Sequence, residues 1–164
     1  MIRLAVLLLL AVAAPLQAKQ SLGVFGDWGA FRDALRSEGG PRCYAIAMPA
    51  PSRLQRDHEP YATIATWPRR NIRGQVHLRL SRTIRANAAI TLIVSGKRFA
   101  LSGSGADAWA QDRGGDAAIV AAMRSAGSMT VSSIDTGGRR FSNTYTLDGA
   151  SSAMDAATIA CARR

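Results

Sequence analysis

The chain has 164 residues, with 21 Lys and Arg against 11 Asp and Glu, which gives a formal net charge of +10 at pH 7. This length suits one domain with a hydrophobic core of its own and argues against a multidomain protein. The positive balance favours contact with anionic surfaces, although a composition rich in Arg, Ala and Gly also follows genomic base composition.

The first 18 residues have the organisation of a secretory signal peptide. Arg3 supplies a positive charge, an apolar run extends from Leu4 to Ala14, and Ala18 precedes a polar chain. The apolar run is shorter than the roughly 20 residues needed to span a bilayer, which argues against the alternative of an uncleaved anchor. We therefore expect cleavage after Ala18 and export of residues 19–164 as a single domain. That domain is expected in the periplasm, associated with the outer membrane or secreted, without a transmembrane span.

Alternating apolar and polar residues predict a series of short strands. In chain order they cover residues 43–48, 61–67, 75–82, 89–94, 98–101, 129–134 and 139–147, and a further strand begins at Trp28. Residues 19–24 are predicted to be a polar lead, and residues 102–105 a turn that interrupts the strands.

Two helices complete the prediction. The first covers residues 116–126, with Asp116 as its cap and Gly127 after its end. The second opens at Ser152 with a capping box and places Cys161 on its apolar face. The predicted fold class is α+β: a mostly antiparallel sheet or sandwich with two short helices, the second of them C-terminal.

Cys43 and Cys161 are the two cysteines of the chain. An even number of cysteines in an exported protein favours a disulfide between them, and the alternative is two buried free thiols.

Few residues have the pattern of a catalytic, cofactor or metal site. Residues 103–108 match a dinucleotide-binding fingerprint in letter only, since no parallel βαβ unit surrounds them, so no cofactor is expected. His58 and His77 are too few and too far apart for a recognisable metal site, and none is predicted. No catalytic residue is assigned, although a small periplasmic hydrolase that uses Asp27, His77 or a serine remains an alternative.

A basic segment is the best candidate for a partner-binding site. It consists of Trp67, Arg69, Arg70, Arg73 and Arg79. Arginine pairs with phosphate and carboxylate through two hydrogen bonds, and an adjacent indole can stack on a guanidinium. The alternative is a solvated loop. Export disfavours nucleic acid as the partner and leaves lipid phosphates, acidic polysaccharide or another protein.

Three segments of the chain form a characteristic set. They are a Phe-Gly-Asp-Trp motif before a strand that begins with a cysteine, a helix followed by Gly and a strand over residues 119–131, and a strand-to-helix close over residues 145–153. The motif residues are Phe25, Gly26, Asp27, Trp28, Leu147 and Gly149. Together these segments resemble the invasion-associated locus B family of exported alphaproteobacterial proteins. Family members commonly carry additional cysteines, which residues 30–32 and 109–111 lack here, and Ala150 stands in place of the Phe of the closing motif.

The resemblance implies a small periplasmic or outer-membrane-associated protein without known catalysis. With the basic segment, it leads to the hypothesis of a non-enzymatic protein of the cell envelope that binds an anionic or protein partner. Besides the hydrolase, a second alternative is a periplasmic inhibitor or a chaperone-like module that covers the edge strand of another protein.

Overall fold

The structure is a computed structural model and describes residues 19–33 and 41–162. Over these residues it contains ten strands, two α-helices and a short 3-10 turn. The strands are β1 (Gln20–Phe25), β2 (Trp28–Asp33), β3 (Arg42–Ala47), β4 (Tyr61–Trp67), β5 (Ile72–Arg79), β6 (Ile90–Val94), β7 (Lys97–Ser104), β8 (Asp107–Ala110), β9 (Ser128–Ile134) and β10 (Arg140–Thr146). The helices are α1 (Arg113–Met123) and α2 (Ala150–Ala162), and the 3-10 turn is Pro68–Arg70. The predicted α+β class with a C-terminal second helix is confirmed. The signal-peptide prediction for residues 1–18 lies outside the described residues.

All ten strands belong to one antiparallel sheet in the order β1-β2-β3-β4-β5-β8-β7-β6-β9-β10. The sheet is strongly curved, and its last strand, β10, lies near the chain that follows β3. The amide of Ala50, just after β3, donates to the carbonyl of Thr144 on β10 over 2.7 Å. Helix α2 packs on β1 to β4, and helix α1 packs mainly on β5. The curvature and the two helices together enclose a single core.

The core follows the alternation along the strands. Its largest fully buried side chains include Trp28, Leu78, Leu92, Met123 and Tyr145. In β10, Phe141, Asn143 and Tyr145 are buried and the residues between them are exposed, as a strand with one covered face requires. The opposite face of the sheet carries polar side chains, among them His77 and Arg79 on β5.

The prediction of a polar lead over residues 19–24 is wrong, since Gln20–Phe25 forms β1 and pairs with β2. Gly23 has a φ of 140°, and the register shifts between Ser21 and Gly23. A bulge of this kind interrupts the period of two on which a strand prediction depends.

The predicted interruption at residues 102–105 is also wrong in part. Strand β7 continues to Ser104, and a two-residue turn at Gly105 and Ala106 leads into β8. Strand β8 was not predicted. A Cβ atom on Gly103 would lie 2.3 Å from the carbonyl oxygen of Asp107. Gly103 therefore allows the backbones of β7 and β8 to approach closely. In the sequence alone, a glycine in this position looks like the end of a strand.

Both helices begin earlier than predicted. The cap of α1 is Asp112, whose carboxylate accepts the amide of Gly115 over 2.7 Å. Asp116 lies within the helix, and its carboxylate accepts the amide of Val76 on β5 over 2.8 Å. The predicted caps at Asp116 and Ser152 are therefore wrong. Helix α2 begins at Ala150, directly after Gly149.

Cys43 and Cys161 form a disulfide that joins β3 to α2, with their Cα atoms 5.8 Å apart. This confirms the predicted disulfide over two free thiols. The bond closes a loop with a sequence separation of 118 residues. In the chain-entropy account such a loop stabilises the folded state by about 4–5 kcal/mol.

Candidate functional site

The motif residues at the two ends of the domain meet in one place, which we call the clasp (residues 25–28 and 146–149). The indole Nε1–H of Trp28 donates to the carbonyl of Thr146 over 2.9 Å, and the amide of Asp27 donates to the carbonyl of Asp148 over 3.2 Å. The hydroxyl of Thr146 donates to the carboxylate of Asp27. Asp27 thus joins the start of β2 to the end of β10.

Two glycines of the clasp are required by its geometry. Gly26 and Gly149 have φ angles of 52° and 78°. A Cβ atom on Gly149 would lie 1.8 Å from the carbonyl oxygen of Phe25, and one on Gly26 would lie 2.5 Å from a carboxylate oxygen of Asp148. Leu147, the other predicted motif residue, is buried in the core.

The predicted basic segment lies at the connection between β4 and β5. Trp67 ends β4, and the 3-10 turn that follows carries Arg69 and Arg70. Asn71 closes this turn with a left-handed φ of 52°, and its amide donates to the carbonyl of Pro68 over 3.1 Å. Arg73 follows near the start of β5. We call Arg69, Arg70 and Arg73 the arginine cluster; all three side chains are exposed.

An alternating row of cations and aromatic rings leads into the arginine cluster. The guanidinium of Arg70 lies 5.2 Å from the ring centre of Trp67, and that of Arg42 lies 5.4 Å from it. Arg42 also lies 4.6 Å from the ring of Tyr44. Tyr44 stacks on Phe31, with the ring centres 5.8 Å apart. Such contacts stabilise each guanidinium and restrict its movement.

The arginine cluster differs from the ion-paired arginines of this chain in its electrostatic surroundings. Arg42 is paired with Asp33, and Arg82 with Asp135. Among residues 19–33 and 41–162, no ion pair includes Arg69, Arg70 or Arg73. Within the described ranges, the positive charge at this connection is therefore not neutralised by a carboxylate at ion-pair distance.

Arg79, the fifth residue of the predicted segment, does not join the arginine cluster. It lies at the far end of β5, where its Nη1 is 2.5 Å from the carboxylate of Asp107 on β8. It belongs instead to a polar group that we call the His77 cluster, formed by His58, His77, Arg79 and Asp107. No local sequence pattern indicates this group. Its members are 19 to 49 positions from each other in the chain, except for the alternating pair His77 and Arg79.

The hydrogen bonds of the His77 cluster determine what its histidines can do. Nε2 of His77 lies 2.9 Å from the carboxylate of Asp107, so the neutral ring donates there and keeps its lone pair on Nδ1. The guanidinium of Arg79 contacts Nδ1 of His58 over 3.5 Å. Because a guanidinium only donates, Nε2 of His58 carries the proton and donates to the hydroxyl of Thr83 at 3.0 Å. His58 in this form is not a base for Thr83.

The alternative of a hydrolase that uses His77 would need a nucleophilic side chain beside the His77 ring. Within the described part of the chain, the ring of His77 has no hydrogen bond to a serine, threonine or cysteine side chain. Over the same residues, no group of three or more His, Cys, Asp or Glu side chains is placed to hold a metal ion.

None of the described helices is both long and apolar enough to cross a membrane. A scan against protein-family models finds no match for this chain, and searches of curated proteins and of solved structures find no similar protein.

Proposed function

We propose that this chain is an exported, non-enzymatic protein of the cell envelope that binds an anionic surface through the arginine cluster. One observation carries the proposal: Arg69, Arg70 and Arg73 are exposed at one short connection, where Arg70 lies over Trp67, and they form no ion pair within the described residues. Charges that are already paired gain little from a ligand, whereas unpaired guanidinium groups can exchange water for phosphate or carboxylate oxygens.

The arrangement of the cluster favours phosphate groups presented on a surface. The three side chains come from one short connection, and the indole of Trp67 holds the guanidinium of Arg70 in place. A held guanidinium loses less conformational entropy on binding than a free one. Phosphate oxygens accept two hydrogen bonds from one guanidinium, so anionic lipid headgroups match the cluster in charge and in geometry.

Two observations support an extracytoplasmic location. The first 18 residues have the pattern of a signal peptide. The structure contains the Cys43–Cys161 disulfide, and disulfides persist mainly in oxidising compartments such as the periplasm. On this proposal the mature chain is located in the periplasm, is associated with the outer membrane or is secreted.

Membership of the invasion-associated locus B family is part of the same proposal. The opening motif that contains Asp27 and the closing motif that contains Gly149 are in contact in the clasp. A contact of this kind gives a physical reason for both motifs to occur in one protein. A role in host-cell entry is not included, since no residue of this chain matches a host-contact motif.

The test is binding of residues 19–164, with the disulfide intact, to phosphatidylcholine vesicles with and without phosphatidylglycerol, and to lipopolysaccharide. We expect binding to the anionic samples that weakens from low to physiological salt. At about 1 kcal/mol for each basic side chain near an anionic surface, replacing Arg69, Arg70 and Arg73 by Ala weakens binding by roughly 100-fold at low salt.

The matched control replaces Arg85, Arg98 and Arg140 by Ala, because these arginines are also exposed and the change in net charge is identical. An equal loss of affinity in both triple variants would show a general charge effect and remove the arginine cluster as the site. Absence of binding at low salt would refute the anionic surface and favour a protein partner.

A further inference from the structure

A second surface lies on the solvent face of the sheet, where β4, β5, β8 and β7 are neighbours. Residues directly opposite each other on antiparallel strands point to the same face. The register therefore places two adjacent rows of side chains across these strands. The rows are Thr63, His77, Trp109 and Ser102, and next to them Tyr61, Arg79, Asp107 and Ser104. We call this surface the Trp109 face.

Trp109 is the most exposed of the three tryptophans, at 37%, whereas Trp28 is fully buried. The ring of His77 stacks against the indole, with ring centres 5.1 Å apart and planes 23° apart. Tyr61 in turn contacts His77 edge-on at 5.7 Å. The cross-strand neighbour of Trp109 on the other flank is Ser102, whose side chain is too small to cover an indole. Trp109 is thus supported on one flank and open on the other.

Polar groups border the open indole. The carboxylate of Asp107 accepts from His77 on one oxygen and from Arg79 on the other. Each oxygen retains a lone pair for a further donor, and Arg79 retains further N–H groups. The side chain of Asp107 is 26% exposed and lies on the same strand as Trp109, so a ligand on the open flank can reach its carboxylate. His77 and Arg79 lie on β5, on the flank that His77 covers.

We propose that the Trp109 face binds a neutral saccharide, with a pyranose ring stacked on the open flank of Trp109 and a ring hydroxyl bonded to Asp107. A pyranose has an apolar C–H face and an edge of hydroxyls that can donate to a carboxylate. This chemistry matches an indole bordered by a carboxylate. The charges of Asp107 and Arg79 offset each other, so the face has little attraction for an anion. An aromatic ligand would cover the same polar groups without satisfying them, which is unfavourable.

The test is saturation-transfer NMR on the oxidised mature chain, with maltotriose, cellotriose and chitotriose each at millimolar concentration. N-acetyltryptophanamide serves as the aromatic comparison. We expect saturation transfer to the pyranose protons of at least one trisaccharide. The binding constant should fall at least tenfold in Trp109→Ala and in Asp107→Asn. It should not change in Trp67→Ala, the matched control at the arginine cluster.

A second variant separates loss of the site from loss of the fold. Ser102→Phe places a ring on the open flank of Trp109 and leaves the stacked His77 and the Asp107 carboxylate in place, on a strand where Phe is well tolerated. We expect it to abolish saccharide binding with unchanged circular dichroism. The proposal is overturned if none of the three saccharides binds, if Trp109→Ala or Ser102→Phe binds as well as the wild type, or if only N-acetyltryptophanamide binds. Vesicle binding by the arginine cluster is independent of each of these outcomes.

Discussion

The phenol hydroxyl of Tyr145 lies in the core and has no hydrogen-bond partner among residues 19–33 and 41–162. A buried hydroxyl without a partner costs free energy that its removal recovers. We expect Tyr145→Phe to leave the free energy of unfolding unchanged or to raise it by up to about 1 kcal/mol, as measured by urea denaturation. The comparison variant Tyr145→Ala also removes the ring and should cost about 3–5 kcal/mol. A clear loss of stability in Tyr145→Phe would indicate a hydrogen bond to the hydroxyl.

The burial of Tyr145 also predicts that the free energy of unfolding depends on pH in the alkaline range. Burial raises the pKa of Tyr145 above its ordinary value. In the unfolded chain the phenol ionises near pH 10, so above about pH 10 the unfolded state gains from deprotonation while the folded state does not. Stability due to this group is therefore present below that pH and lost above it. Wild type and Tyr145→Phe should keep a constant difference up to about pH 10 and diverge beyond it, with the variant the more stable.

At the scale of elements, α1 is joined to the sheet by the contact between Asp116 and the amide of Val76. Desolvation by burial raises the pKa of Asp116, although the hydrogen bond from Val76 opposes the shift. Asp116→Ala leaves the amide of Val76 without its acceptor and should lower the free energy of unfolding by about 1–3 kcal/mol. Asp116→Asn retains an acceptor oxygen and removes the desolvated charge, so its stability at pH 7 should lie within about 1 kcal/mol of the wild type.

The direction of the Asp116 shift gives this pair of variants a pH test. A carboxyl group whose pKa is raised by folding contributes stability at low pH that is lost as the pH rises through its folded pKa. The wild type should therefore gain stability relative to Asp116→Asn as the pH falls towards the carboxyl range, in denaturation measured at several pH values. A gap that widens in the opposite direction would mean that the charge of Asp116 is stabilising.

At the scale of the whole molecule, the clasp joins the first hairpin to the last strand and helix. Gly149→Ala would place a methyl group against the carbonyl of Phe25 at a φ of 78°. We expect a loss of at least about 3 kcal/mol in thermal or urea unfolding, from backbone strain and displacement of the clasp together. The matched control is Gly138→Ala, which has a φ of 80° but nothing within 4 Å of the added methyl group. It should lose only about 1–2 kcal/mol from the left-handed backbone.

Equal losses in these two variants would show that the close approach at Gly149 relaxes at little cost. A much larger loss in Gly149→Ala would show that contact between the two ends contributes to global stability. The Cys43–Cys161 disulfide adds a covalent bond between other parts of the two ends of the domain, β3 and α2.

The local elements of this protein are encoded in short stretches of sequence. The alternation of Val76, Leu78 and Leu80 predicts β5 because one face of that strand is covered by the core. Strands β1 and β8 were not predicted because of two glycines. Gly23 forms a bulge within β1, and Gly103 allows the close approach of β7 to β8. In a single sequence, glycines in these positions look the same as glycines that end a strand. The two strands on either side of residues 135–138 were predicted. The burial of Asp135 was not, because its partner Arg82 is distant in sequence.

The same division holds for the candidate sites. The arginine cluster is visible in the sequence because its three residues lie within five positions, and a local turn presents them together. The His77 cluster and the Trp109 face are not visible, since His77 and Asp107 are 30 positions apart and meet only when β8 pairs with β5. The hydrophobic period, the turn residues and runs of like charge each involve only a few neighbouring residues, so they can be recognised in the sequence directly. Strand order and register are set by which apolar faces share a core, and this long-range pairing brings Trp109, Asp107 and Arg79 to one face.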